Sequence, residues 1–273
     1  MADQNDSSRS GTRSEFRAAL LMVGIFGVIA AVFAVVAITF TLFDGDGDGT
    51  GDAEPDGPLR AAIVDQLDLT FPNQLFREEA TATLEAAGYE VEYIPGELVT
   101  VDYYRELATH DYDLIVLRIH AARSLTTNDG QPLQLAELFT SERFSRDHAY
   151  ELETGQVGSV VYEEGGDVYF GIGPLFVVDS MIGDFDGATI VMMGCNGLIS
   201  EQMAEAFVRK GAGSFISWND LVSVTHTDAA TLNLLDQMLV NNLSSSDAAA
   251  ATMAEVGPDP YYDSVLLSYP LED

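Results

Sequence analysis

The sequence predicts an α/β protein with one N-terminal transmembrane helix, a short acidic tether and an outer domain built on a mostly parallel sheet. Three observations carry that expectation. Residues 18–43 run without a charged side chain, and about 20 apolar residues suffice to cross a bilayer. From Leu59 onward, short β-branched runs alternate with helical patterns, which is how a parallel sheet covered by helices on both faces reads. The chain has 273 residues, 47% of them apolar, enough for a substantial core after the anchor is set aside.

Composition excludes several classes of function. The chain carries 12 Lys+Arg against 44 Asp+Glu, a net charge of −32. Duplex binding relies on basic patches that neutralise phosphates, so nucleic acid is not an expected partner. A single cysteine, Cys195, rules out an internal disulfide and any cysteine-built zinc or iron–sulfur centre; no cofactor is expected. Only Lys210 stands beside eleven arginines. In dilute buffer so acidic a surface repels itself, and concentrated salt screens that repulsion within a few ångström. The composition therefore reads as halophilic, with an acidic protein from an ordinary cell as the alternative, and an isolated carboxylate is poor evidence for a site.

The N-terminal elements follow from charge and hydropathy. Arg9, Arg13 and Arg17 precede the span, whereas Asp44, Asp46, Asp48, Asp52, Glu54 and Asp56 follow it. Basic flanks remain cytoplasmic, which predicts a cytoplasmic tail (1–17), a single-pass helix in the cell membrane (18–43) and an extracellular domain (58–273). Residues 44–57 read as a Gly/Asp linker extended by self-repulsion. Asp44, Asp46, Asp48 and Gly49 match the start of a calcium loop, but Pro55 stands where the bidentate acid is needed, so a solvated spacer is the better reading.

Within the outer domain the first strand is Ala61–Asp65, followed by a helix over 73–87 that Gly88 ends. Glu90–Ile94 is a second strand, Tyr103–Leu107 a helical stretch, and Leu114–Leu117 a third strand ending at Arg118-Ile-His120. A polar stretch over Ala121–Gly155 follows, whose exposed arginines Arg123, Arg143 and Arg146 mark where processing would fall. Two antiparallel strands, Gln156–Tyr162 and Asp167–Ile172, flank a Gly-Gly turn. Ala188–Met193 is a fourth parallel-type strand, ending at Gly194-Cys195-Asn196-Gly197. A helix over Ser200–Lys210, a strand Ser214–Trp218, a helix over 229–241 and a strand Val265–Tyr269 complete the pattern.

Ligands bind open α/β sheets at the carboxyl ends of the strands. Two parallel-type strands end in groups suited to nucleophilic chemistry, one in His120 and the next in Cys195. On neighbouring strands both would emerge on one rim, where an imidazole can take the proton of an attacking thiol. Backbone N–H groups at Ala121 and Gly194 are candidate oxyanion donors. Each residue also has a plain structural reading, the cysteine as a small buried hydrophobe and the histidine as a hydrogen-bonded rim residue.

Asp113-Leu-Ile-Val-Leu-Arg-Ile-His120 and Ile190-Val-Met-Met-Gly-Cys195-Asn-Gly197 resemble the corresponding segments of caspase-like cysteine peptidases, the group of caspases, gingipains, clostripain, separase and CHAT-domain proteins. Ala204–Gly213 and Ser214–Trp218 are similar to the helix and strand that follow the cysteine in gingipain- and CHAT-type members. The resemblance implies a caspase-like α/β/α sandwich with sheet order 2-1-3-4-5-6. It also implies a thiol protease, acting on protein or peptide, with Cys195 as nucleophile and His120 as general base and acid. Ala121 stands where the family usually has glycine, and Met192-Met193-Gly194 replaces a small, polar run. A non-catalytic member of that fold, serving as a surface binding domain, is the alternative.

The remaining candidates are weaker. Trp218, Asn219 and Asp220 close the fifth strand and are candidate pocket residues, with simple packing the competing reading for the tryptophan. Asp65, at the end of the first strand, is a candidate acid for a basic substrate side chain. His226 and Asp228 form a His-x-Asp pair without a clustered third ligand, and His110 and His148 read as loop or surface residues. No phosphate loop, nucleophile elbow or dinucleotide fingerprint is present.

Overall fold

In the computed structural model, residues 57–124 and 135–270 are described. The expected tail, membrane helix, nearly all of the tether and the Asp44–Gly49 stretch lie outside the described residues. Among the described residues no helix is long and apolar enough to cross a membrane.

The described chain begins with β1 (Arg60–Asp65) and a short 3-10 turn over Gln66–Leu69. Helix α1 (Gln74–Ala86) opens where the Asn73 side chain accepts the Phe76 N–H, and it buries Phe76, Ala80 and Leu84. Next come β2 (Glu90–Pro95), α2 (Val101–Glu106) capped by Thr100, and β3 (Leu114–Arg118). The polar stretch then folds into β4 (Ala121–Ser124), β5 (Leu135–Arg143) and α3 (Ala149–Glu153), where the sequence predicted no regular structure. The expected hairpin is β6 (Val157–Val161) and β7 (Val168–Ile172), paired antiparallel. After α4 (Pro174–Asp179) come β8 (Thr189–Met192), α5 (Gln202–Arg209) and β9 (Ser214–Trp218). Helices α6 (Val224–Leu239) and α7 (Ser245–Glu255) lead to β10 (Leu266–Tyr269).

The main sheet has the order β10-β9-β8-β3-β1-β2, parallel except for the antiparallel β10. Numbering its strands along the chain gives 2-1-3-4-5-6, the order that the resemblance implies. Because side chains alternate across a strand, β1 sends Ala62 and Val64 to one face and Ala61 and Ile63 to the other. The first face packs against Tyr104 of α2, Phe176 of α4, Phe207 of α5 and the second sheet. The opposite face packs against Phe76 of α1, Leu234 of α6 and Ala248 of α7. Helices therefore cover both faces of a mixed α/β core.

The second sheet, of order β4-β5-β7-β6, stands beyond the carboxyl end of β3. Only Ile119 and His120 separate β3 from β4, so a strand of this sheet starts at the rim where chemistry was expected. The β5/β7 register shifts between Phe139 and Arg143; such an irregularity breaks the period of two by which a strand is read. Helix α6 starts five residues before the expected position. Its β-branched first turn has modest helix propensity, but Thr227 and Asp228 are anchored to Met193, Trp218 and Arg118.

Candidate functional site

Strands β3 and β8 are parallel neighbours, paired from Leu114 with Thr189 to Leu117 with Met192. The Met193 N–H donates to Leu117 O at 2.9 Å, which carries the pairing past the strand ends. Three residues beyond the last pair stand His120 on one strand and Cys195 on the other. The two strand ends stay abreast because position 194 lacks a side chain: a Cβ there would lie 2.4 Å from Ile119 O. Gly197 is equally constrained, with a Cβ falling 2.1 Å from Ser217 Oγ and 2.4 Å from Met192 Sδ. Between them, buried Asn196 has φ 62°, a left-handed conformation that asparagine tolerates better than most residues.

His120 is held on several sides. Its N–H donates to Gln66 Oε1 at 3.0 Å, and Gln66 Nε2 donates in turn to Tyr162 Oη. Its Nε2 lies 2.8 Å from Thr70 Oγ1. Thr70 Oγ1 also lies 3.3 Å from Leu67 O, and its closer contact is with the imidazole. The rings of Phe71, Phe139 and Tyr162 surround the imidazole at centroid distances of 5.9, 5.6 and 5.1 Å. Burial, with the Arg118 guanidinium second, holds the imidazole pKa down at about 4.

Cys195 is half-buried. Its Sγ accepts from Val222 N–H at 3.5 Å and lies 3.6 Å from Val222 O. Burial pushes the thiol pKa up; the Val222 contact opposes this, and Asp220 and Asp259 reinforce it. At neutral pH the pair is therefore an uncharged imidazole and an uncharged thiol. In the resting structure the imidazole is hydrogen-bonded towards the loop after β1 and the thiol towards the loop after β9.

Beneath the rim lies a buried charge cluster. Arg118, fully buried, donates to Asp65 Oδ1 at 2.8 Å, to Asp228 at 2.9 and 3.0 Å, and to Phe71 O at 3.0 Å. Asp65 also accepts from Tyr93 Oη at 3.2 Å and from Asp68 N–H at 3.1 Å. Burial raises the Asp65 pKa, with Arg118 opposing it. Asp65 is only 1% exposed, so its expected use as an open acid for a basic side chain gives way to a structural role. A cavity of about 550 Å³ opens above this cluster and is lined by Thr70, Phe71, Asn73, Arg118, Thr225 and Asp228.

Trp218 follows the packing reading rather than the pocket one. It is fully buried and donates from Nε1 to Thr227 Oγ1 at 2.9 Å, so it packs the core beneath the rim. Asn219 accepts the Val265 N–H at 2.9 Å and ties the loop after β9 to the approach to β10. Asp220 is exposed, and its carbonyl accepts the Asn196 N–H at 3.0 Å. Ala121 begins β4 opposite Leu138. His226 bonds to Gly257 O while Asp228 bonds to Arg118, so the His-x-Asp pair is divided between two networks. Among the described residues no group of three His, Cys, Asp or Glu could hold a metal ion.

Gln66, Thr70, Phe139 and Tyr162 define the histidine's environment, and sequence reasoning did not single them out. Gln66 had one available signal, its place directly after a strand end adjoining β3. The aromatic pair had none, because it reaches His120 from the second sheet. No protein-family model matches the chain, and no curated protein matches it.

Proposed function

We propose that the outer domain is a caspase-like cysteine endopeptidase using a Cys195–His120 dyad, tethered to the cell membrane through residues 18–43, facing outward and working in concentrated salt. The observation that carries this reading is the matched position of the two residues beyond paired β3 and β8. The sheet order supports it, as does the low pKa of His120, which keeps the imidazole an uncharged base at neutral pH.

The chemistry runs from the neutral pair. A peptide carbonyl enters at the rim, and the thiol turns from Val222 towards the imidazole. The His120 imidazole takes the Sγ proton on its unprotonated nitrogen while the sulfur bonds to the carbonyl carbon. In antiparallel pairing, bonded and non-bonded positions alternate. Phe139 N–H donates to His120 O, so the N–H of Ala121, one residue on, faces away from β5. With the N–H groups of the Gly194–Cys195 turn, it is the proposed donor to the oxyanion. His120 returns its proton to the leaving amine, and water, activated by the same nitrogen, hydrolyses the thioester.

One observation favours the second reading, a non-catalytic binding domain of the same fold: at rest both groups are engaged by other partners, Thr70 and Val222. A peptidase assay on a mixed peptide library in concentrated salt separates the two. The proposal expects cleavage by the wild type and none by Cys195→Ala. Cleavage that survives both Cys195→Ala and His120→Ala eliminates the dyad.

A further inference from the structure

A second cleft, of about 360 Å³, opens where the start of β5 meets α4 and α5. Its walls include the apolar side chains of Leu135, Pro174, Leu175 and Val178, and two acids line it, Glu137 and the exposed Glu205 of α5. The carboxylate of Glu137 lies over β6 and β7 at a position cleared of side chains. Gly158 and Gly171 face each other in register there. A Cβ on Gly158 would stand 2.7 Å from Glu137 Oε1, and one on Gly171 would stand 3.3 Å from Glu137 Cβ. Glycine in a strand interior weakens the strand and often marks a close approach; here Gly158 accommodates the carboxylate, while a Cβ on Gly171 would stand closest to Val160 Cγ1, at 2.6 Å.

That carboxylate has no hydrogen-bond or ion-pair partner among the described residues, and burial pushes its pKa up. Arg209, the one basic side chain lining the cleft among the described residues, is exposed on α5. Glu137 is partly buried; partial desolvation without a partner disfavours its charged form, and a bound cation would favour it. A chain of net charge −32 also attracts cations and repels anions. We propose that this cleft binds a small organic cation, an ammonium or guanidinium group on an apolar body, with Glu137 as the counter-ion. The site lies apart from the thiol and imidazole and does not depend on their being a dyad.

The test is calorimetric titration of the full-length chain in detergent micelles with n-pentylammonium, a lysine-containing tripeptide and uncharged 1-pentanol. Binding of n-pentylammonium alone identifies a free amine as the ligand type, and binding of the tripeptide identifies a basic peptide side chain. The proposal expects at least one cation to bind at least tenfold tighter than 1-pentanol. It also expects Glu137→Gln to remove that preference and cation affinity to fall as acidification protonates Glu137. Cation binding unchanged in Glu137→Gln, 1-pentanol binding as tight as the cations, or no binding of either cation overturns it. Should Glu137→Gln fail to fold, the cation–alcohol comparison and its pH dependence in the wild type decide the matter.

Discussion

His120 and Cys195 each stand three residues beyond the last pair of Leu117 and Met192, where the chain leaves two adjacent parallel strands. They are separated by 75 positions in the chain, and a side-chain-free contact between Gly194 and Ile119 O keeps the strand ends together. Gly194→Ala should force these ends apart. The expected loss is about 1–3 kcal/mol of stability, typical of overpacking, together with any peptidase activity. Denaturant unfolding measures the first and the library assay the second.

Arg118 neutralises two carboxylates that have almost no access to solvent. Arg118→Met should leave both without a cation, at a cost of about 3–5 kcal/mol, because breaking a buried pair leaves uncompensated charge. Unfolding should become strongly pH-dependent as the orphaned acids take up protons. A midpoint within error of the wild type contradicts the cluster's structural role.

His120 sets an acid limb. Its pKa of about 4 in the folded chain lies below the ordinary 6.5, so between those values the unfolded state binds the extra proton. Stability rises with pH where the unfolded state binds more protons. This contribution is therefore intact above about 6.5, declines as pH falls towards 4, and levels off below that. His120→Gln should flatten that part of the stability–pH curve. On the dyad reading, activity should persist to about pH 5, because the base remains unprotonated.

Cys195 should be a sluggish nucleophile in the free protein. The thiolate is the reactive form, and burial disfavours it here. Iodoacetamide should label the folded chain at least ~10-fold more slowly than the unfolded chain at pH 7.5, with the rate rising steeply at alkaline pH. Equal rates in both states contradict the half-buried, Val222-bound thiol.

Much of the main sheet was legible because its strands are short and apolar and are punctuated by glycine. Gly88, with φ +94°, and Gly211, with φ +93°, end α1 and α5 close to where the sequence places the stops. The second sheet was harder to read, since Leu135–Arg143 mixes apolar and charged residues across a register shift. The short helix α4 left no clear periodic signal over its six residues. The strand-end positions of His120 and Cys195 were readable, but the partners of polar groups were not. Asp65 and Trp218 do sit near the rim, yet their side chains turn inward to Arg118 and Thr227, and such long-range pairings have no local signature.

The most direct measurement of the dyad is mass-spectrometric trapping with a peptidyl acyloxymethyl ketone in concentrated salt, comparing the wild type with His120→Ala. The account predicts a single adduct on Cys195 of the folded wild type. It predicts at least ~100-fold slower labelling in His120→Ala, the scale of a lost general base, although iodoacetamide still alkylates Cys195 after unfolding. Equal labelling of both folded proteins, or none in either, would contradict it.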